Sequence, residues 1–325
     1  MSADIQVMEV MTIMGIKVSS LEGIDSDVLT TLRELMNASL KHAFITDHML
    51  ERCTTGDPNF RRKDILVAYE NDELVGVLIG GIRRSAPPDM ISEHRSVGWV
   101  KAVAVRPGPH RAEILGSLLR EFEGLMKEED KNRLRACDFA SWHFFPGIEV
   151  HHDFYIEELM RHGFSKVGEC VDYEVDLLRF YVPQRIKRLE ERLMKEGLSF
   201  KRASRGDEGR VAEWVKRKFS SFWAYEAKLS FSFKKPKIWV AEKDGRILGF
   251  SVYGALEPNW FGPIGVDPEA RARGIGSVLL FKCLQDMRLE GTRIAVIPWT
   301  SHLFFYTQVP GISAVKHYWI MEKKL

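Results

Sequence analysis

The chemistry in this chain concentrates in one stretch, Pro263-Ile-Gly-Val-Asp-Pro-Glu-Ala-Arg-Ala-Arg-Gly-Ile-Gly-Ser277. The apolar run from Phe261 to Val266 predicts a buried strand. Leu279, Leu280, Cys283, Leu284 and Met287 recur on one face of a helix that opens near Gly274. A helix start presents N–H groups without intrahelical acceptors, and its dipole favours anions. Gly274 and Gly276 carry no side chain to hold a phosphate away, and Arg271 and Arg273 add positive charge. This spacing suits the binding of a diphosphate. A nucleotide-hydrolysing P-loop would need Lys followed by Ser or Thr after its second glycine, where Ser277-Val278 stands. A dinucleotide fingerprint would need a third small residue at Leu279.

The remaining pattern, a strand ending Val-Asp-Pro and then Arg-x-x-Gly-x-Gly opening a helix, resembles the coenzyme A loop of the GNAT superfamily of N-acyltransferases. The resemblance implies direct attack of an amine on the thioester of acetyl-CoA or another short acyl-CoA, with no metal. It implies that the fourth strand of the copy splays from the fifth. The backbone of Ile264, Gly265 and Val266 would then hold the pantetheine and acyl carbonyl. The N–H groups across Arg271, Ala272, Arg273, Gly274, Ile275, Gly276 and Ser277 would hold the diphosphate. A leaving thiolate benefits from a nearby proton donor. Family members place a tyrosine in a Phe-Tyr-x-x-x-Gly-Phe segment for this. Here the segment is Phe305-Tyr306-Thr-Gln-Val-Pro-Gly311-Ile312, one residue longer, and Tyr306 is the expected general acid. Glu257, just before the fourth strand, is the expected base, with Glu226 in the aromatic segment Phe222–Glu226 a second candidate. Trp260 and Trp299 are candidate pocket walls. The acceptor amine is not readable from these residues. A non-catalytic acyl-CoA sensor or scaffold is the alternative reading, since it would keep the loop without needing Tyr306.

The elements that must position these groups occur twice. Val240-Ala-Glu-Lys-Asp-Gly-Arg-Ile-Leu-Gly249 has a counterpart in Val67-Ala-Tyr-Glu-Asn-Asp-Glu-Leu-Val-Gly76, each a β-hairpin pattern. Val103-Ala-Val-Arg-Pro107 echoes Ile264-Gly-Val-Asp-Pro268. Aligning Arg111–Gly116 with Arg271–Gly276 puts Ile114 at Gly274 and Glu113 at Arg273, with one extra residue after Val105. The N-terminal copy therefore reads as degenerate, with weak or no coenzyme binding. The expected fold is α/β (α+β): two tandem domains, each a mixed, mostly antiparallel sheet flanked by helices. Residues 1–180 form the first, 181–197 a helical linker bracketed by Pro183 and Gly197, and 198–325 the coenzyme-binding second. The polar insertion from Arg83 to Ser96 reads as a flexible loop.

Bulk properties agree with this division. The 325 residues are long for one core, and no apolar run reaches membrane-spanning length. Residues 198–325 hold 21 Lys+Arg against 12 Asp+Glu, and the rest 26 against 33. The basic half is the one with the anion cradle, which suits a polyanionic coenzyme. No basic-aromatic interleaving points to nucleic acid. The N-terminus lacks the layout of a secretion signal, and Cys53, Cys137, Cys170 and Cys283 are scattered, so the expected location is the cytoplasm. His143, His151, His152 and Asp153 form a tempting metal set, but adjacent histidines diverge on regular structure, and none is expected to bind one.

Overall fold

The computed structural model describes residues 11–13, 15–21 and 23–325. The chain divides into two compact units. One comprises the described residues up to 170 with 317–325, the other residues 171–316. The sequence reading placed the boundary after residue 180 and gave the last strand to the C-terminal copy. The units instead exchange these segments. Strand pairing, which depends on partners far away along the chain, decides where each segment belongs.

The first unit begins with strands β1 (Met11–Ile13) and β2 (Ile16–Ser20), then helices α1 (Ser26–Ser39) and α2 (Asp47–Cys53). The Asp25 carboxylate caps α1, accepting the N–H groups of Asp27 at 3.0 Å and Val28 at 2.9 Å. The hairpin β3 (Ile65–Glu70) and β4 (Glu73–Gly81) follows, then a short helix α3 (Met90–Glu93), β5 (Val97–Val105) and α4 (Arg111–Glu128). Next come β6 (Arg133–Ala136), β7 (Ile148–Glu149), α5 (Asp153–Arg161) and β8 (Ser165–Asp176). β1 to β5 pair in antiparallel order, and β5 meets β6 in parallel, from Val97 opposite Arg133 to Val100 opposite Ala136. The 83–96 insertion is pinned, contrary to the expectation of a flexible loop. The Asn59 side-chain oxygen accepts the N–H groups of Arg84, Ser85 and Ala86 at 2.9–3.0 Å. Arg84 also pairs with buried Asp64 at 2.9 Å.

In the second unit, α6 (Gln184–Lys195) leads into β9 (Ser199–Arg202), α7 (Glu208–Lys218) and α8 (Ser221–Leu229). Strands β10 (Ile238–Lys243), β11 (Arg246–Tyr253) and β12 (Phe261–Val266) follow, then α9 (Ile275–Leu289), β13 (Ile294–Thr300), α10 (Leu303–Tyr306) and β14 (Ile312–Lys324). β9 to β12 form an antiparallel sheet in the order β12-β11-β10-β9. One face packs on α7 and α8 through Val211, Trp214, Val215, Val240 and Phe250. The other packs on α9 and α6 through Val278, Leu279, Ala241 and Leu193. β13 pairs antiparallel with the 171–176 part of β8. Beyond residue 316, β14 belongs to the first unit, where Met321 lies opposite Ala136 and Lys324 opposite Arg133.

Candidate active site

β12 and β13 meet at one parallel bridge, Trp260 with Val296, where the Val296 N–H donates to the Asn259 carbonyl at 2.8 Å. No ladder joins them from Phe261 onward among the described residues, so one edge of β12 stays open. The Asp267 N–H donates to Leu248 on β11 at 2.8 Å. Strand groups alternate in direction, so the backbone groups of Val266 and Ile264 point to the open edge and those of Gly265 point to β11. Gly265 contributes differently from the expected backbone contact. A Cβ there would lie 2.5 Å from the Phe219 ring, so its missing side chain lets the wall of Phe219, Trp223 and Phe250 close under β12.

At the end of β12 the Asp267 carboxylate accepts the Glu269 N–H at 3.2 Å and pairs with Lys218 at 2.9 Å. Burial would raise its pKa, but Lys218 and the Glu269 amide win and hold it below the usual carboxylate range. The loop then reaches Gly274, the N-cap of α9, at φ +92°. The first α9 bond is Val278 N–H to the Gly274 carbonyl at 3.2 Å, so the N–H groups of Ile275, Gly276 and Ser277 have no intrahelical acceptor. The Arg271 Nε donates to the Val266 carbonyl at 3.3 Å. The loop and the helix start expected at these residues are both present.

The glycines serve packing as well as access. A Cβ on Gly274 would sit 2.7 Å from a δ-carbon of Leu189 on α6, and one on Gly276 would sit 3.3 Å from the Phe305 ring. α6 also touches the loop through polar groups: Arg192 donates to the Arg273 carbonyl at 3.2 Å, and Glu196 pairs with Arg273 at 2.6 Å. Sequence reasoning missed Leu189, Arg192, Glu196 and Phe305 at this site. Leu189 was visible only as one apolar position of the linker helix.

Residues 207–302 match the family described as the acetyltransferase (GNAT) family. The C-terminal copy is a GNAT domain. No curated protein sequence matches the chain. Among solved structures, a glucosamine N-acetyltransferase region of a fungal multi-domain GH3 β-N-acetylglucosaminidase is similar at 16% identity and TM-score 0.76. That likeness covers 94% of this chain but only 38% of the fungal one. A GCN5-related N-acetyltransferase from Sphaerobacter thermophilus is similar at 15% identity and TM-score 0.69, over 97% of each chain. A tandem GNAT protein from the clavulanic acid biosynthesis pathway is similar at 15% identity and TM-score 0.63, over 95% and 98%. At these identities the likeness is one of fold, and it runs through both copies.

In the GNAT domain, Tyr306 is 7% exposed on α10, with its ring 6.4 Å from Phe261 at the start of β12 and 5.9 Å from Tyr173. Burial pushes its phenol pKa up, a hydrogen bond with Thr300 opposes this, and Tyr173 adds to it. The hydroxyl therefore stays protonated at neutral pH. Glu257 is 3% exposed, in the turn where its carbonyl accepts the Trp260 N–H at 3.0 Å. It is a buried group, not a solvated loop carboxylate. Glu226 is half-buried on α8, and Trp260 and Trp299 are half-buried at the two strands. Trp299 sits at φ +50° beside a register break in β13, its N–H held by the Asp172 carboxylate at 2.7 Å.

The N-terminal copy is built differently at the matching loop, and its packing corrects the alignment drawn from sequence. Val105 pairs with Gly76 as Val266 pairs with Gly249. Ile114 and Leu118 lie over Gly76, and Ile275 and Leu279 lie over Gly249. Strand and helix therefore keep one offset between the copies, with no extra residue. Glu113 stands at Gly274 and Leu115 at Gly276. α4 starts at Arg111, so the loop itself has become helix, and Leu115 is fully buried. On the edge matching the open edge of β12, the Tyr155 hydroxyl accepts the Val105 N–H at 3.0 Å. Arg111 stacks 3.8 Å from the Phe154 ring.

Of the histidine group, His151 and His152 share one carboxylate: Glu149 lies 3.2 Å from His151 and 3.7 Å from His152. Among the described residues no group of three or more His, Cys, Asp or Glu is arranged to hold a metal. All four cysteines are buried free thiols. No helix of the described residues is long and apolar enough to cross a membrane.

Proposed function

We propose that the GNAT domain transfers an acetyl or short acyl group from coenzyme A to an amine. The reading rests above all on the open edge of β12, which ends in a helix start with three amides lacking intrahelical acceptors. The amides of Ile275, Gly276 and Ser277 bind the diphosphate, and Ile264 and Val266 hold the pantetheine and the thioester carbonyl. The amine nitrogen attacks that carbonyl, the carbon–sulfur bond breaks, and Tyr306 protonates the departing thiolate. Glu257 receives the amine proton, directly or through water. The N-terminal copy, its matching edge closed by Tyr155, binds no coenzyme. The buried free thiols support a reducing, cytoplasmic setting.

Calorimetric titration of acetyl-CoA into the full chain, with Ser277→Glu alongside, tests the reading. A carboxylate at the third residue of α9 favours the helix while repelling a diphosphate, so thermal stability should hold while binding is lost. One site, removed by Ser277→Glu, is expected, followed by thiol release with an amine panel. Tyr306→Phe should keep that affinity and lower turnover about 10²- to 10⁴-fold. The absence of any acetyl-CoA binding would overturn the reading. Binding without turnover on any amine would leave an acyl-CoA sensor.

A further inference from the structure

The linker helix carries a basic flank at the mouth of the coenzyme site. Arg185, Arg188, Arg192 and Lys195 are exposed and recur at i, i+3, i+7 and i+10 of α6. Contacts fix where this flank lies. Arg192 reaches the Arg273 carbonyl in the cradle at 3.2 Å, and Arg185 reaches the Gln308 carbonyl just past Tyr306 at 3.0 Å. The first carbonyl directly precedes the Ile275–Ser277 helix start, and the second follows α10, whose Phe305 packs at Gly276. Seven residues of helix span about 10 Å, so α6 runs alongside the start of α9 from the loop to the segment after α10. Leu189 seats the helix by filling the space over Gly274, and Glu190 ties it to Lys282 of α9 at 2.6 Å.

The cations are not all spent on the protein. Among the described residues the Arg188 guanidinium has no ion-pair or hydrogen-bond partner, Arg185 and Arg192 each donate to one carbonyl through a single nitrogen, and Arg192 has besides only a long ion pair with Glu196 at 3.9 Å. Two acids share this side: Glu196 is engaged chiefly by Arg273 at 2.6 Å, and Glu191 is exposed. A guanidinium presents five donors and recognises phosphate by paired hydrogen bonds. Coenzyme A carries, besides its diphosphate, a phosphate on the ribose 3′ oxygen one sugar away. The family match starts at residue 207, so α6 lies outside it.

We propose that α6 is part of the coenzyme site, and that Arg188 and Arg192 bind the 3′-phosphate of coenzyme A. The inference rests on the acyl-CoA reading above, and one comparison separates the two. Affinities for coenzyme A and for 3′-dephospho-coenzyme A would be measured by calorimetry on the full chain and on the Arg188→Gln/Arg192→Gln variant. The wild type should prefer coenzyme A by tenfold or more. The variant should bind both compounds alike, with its affinity for the dephospho form within threefold of wild type. Equal wild-type affinities, or a preference retained in the variant, would overturn the role of α6 and leave the acyl-CoA reading standing. Failure of both compounds to bind the wild type would overturn both.

Discussion

Placing a methyl group on Gly274 tests whether α6 is seated on the cradle. The glycine sits at φ +92°, where an L-residue costs about 1–2 kcal/mol. A Cβ would also stand 2.7 and 2.8 Å from the Leu189 δ-carbons and 3.2 Å from its γ-carbon. Forcing a packed side chain aside costs about 1–3 kcal/mol, and Leu189 is only half-buried, so the low end applies. Gly274→Ala should therefore destabilise by about 2–4 kcal/mol in all. Gly245 gives the conformational part alone, because it lies at φ +75° with nothing within 4 Å of its added Cβ. Leu189→Ala removes half-buried packing and should cost about 2 kcal/mol. In the double variant the methyl enters the space that Leu189 vacates, so the sum should fall short of additivity by about 1–2 kcal/mol. Denaturant unfolding of the four proteins, with Gly245→Ala as reference, measures each quantity. Additivity to within about 0.5 kcal/mol, with Gly274→Ala costing no more than Gly245→Ala, would refute the seating of α6 on the loop.

Two further outcomes follow from the first unit. Tyr155→Phe deprives the buried Val105 N–H of its acceptor and should cost about 1–3 kcal/mol in denaturant unfolding, while acetyl-CoA stoichiometry stays at one; an unchanged midpoint would remove the hydrogen bond. His94 packs 5.1 Å from Trp99, and burial, then Arg83, Arg135 and Arg133, press its pKa down from 6.5 to about 4. The folded state thus prefers the neutral ring, so this contribution is whole above pH 6.5 and fades as pH falls toward about 4. The urea midpoint of wild type should drop more between pH 7 and pH 4.5 than that of His94→Phe, and parallel curves would refute the assignment.

The sequence made β12, the loop and α9 readable because three local signals change there within a few residues. An apolar strand gives way to glycines and arginines, then to 3.6-residue periodicity, and the bounds Phe261–Val266 and Ile275–Leu289 agree with that. The hairpin repeat was equally visible, since both its turns carry polar residues at matching positions. The register between the copies was not. A glycine match drew Gly116 onto Gly276, whereas the packing of Ile114 and Ile275 on equivalent glycines sets the true offset. Whether Glu257 is solvated, whether Asn59 pins a distant loop, and what fills the space over Gly274 depend on residues that meet only in three dimensions. Local pattern carries no trace of them.

The division of the chain also bears on how the protein is made. β6 finds its antiparallel neighbour in residues 321–324, which leave the ribosome only after the 146 residues of the second unit. Until then the strand edge at Arg133–Ala136 waits without that neighbour, a state in which exposed edges invite pairing with other chains. The duplicated halves therefore cannot be parted at the linker as independent products: a cut near residue 180 would strip the first of its closing strand and the second of Val171–Asp176. Whatever first produced the duplication, the two copies now mature as one polypeptide, and the C-terminal copy inherits that dependence.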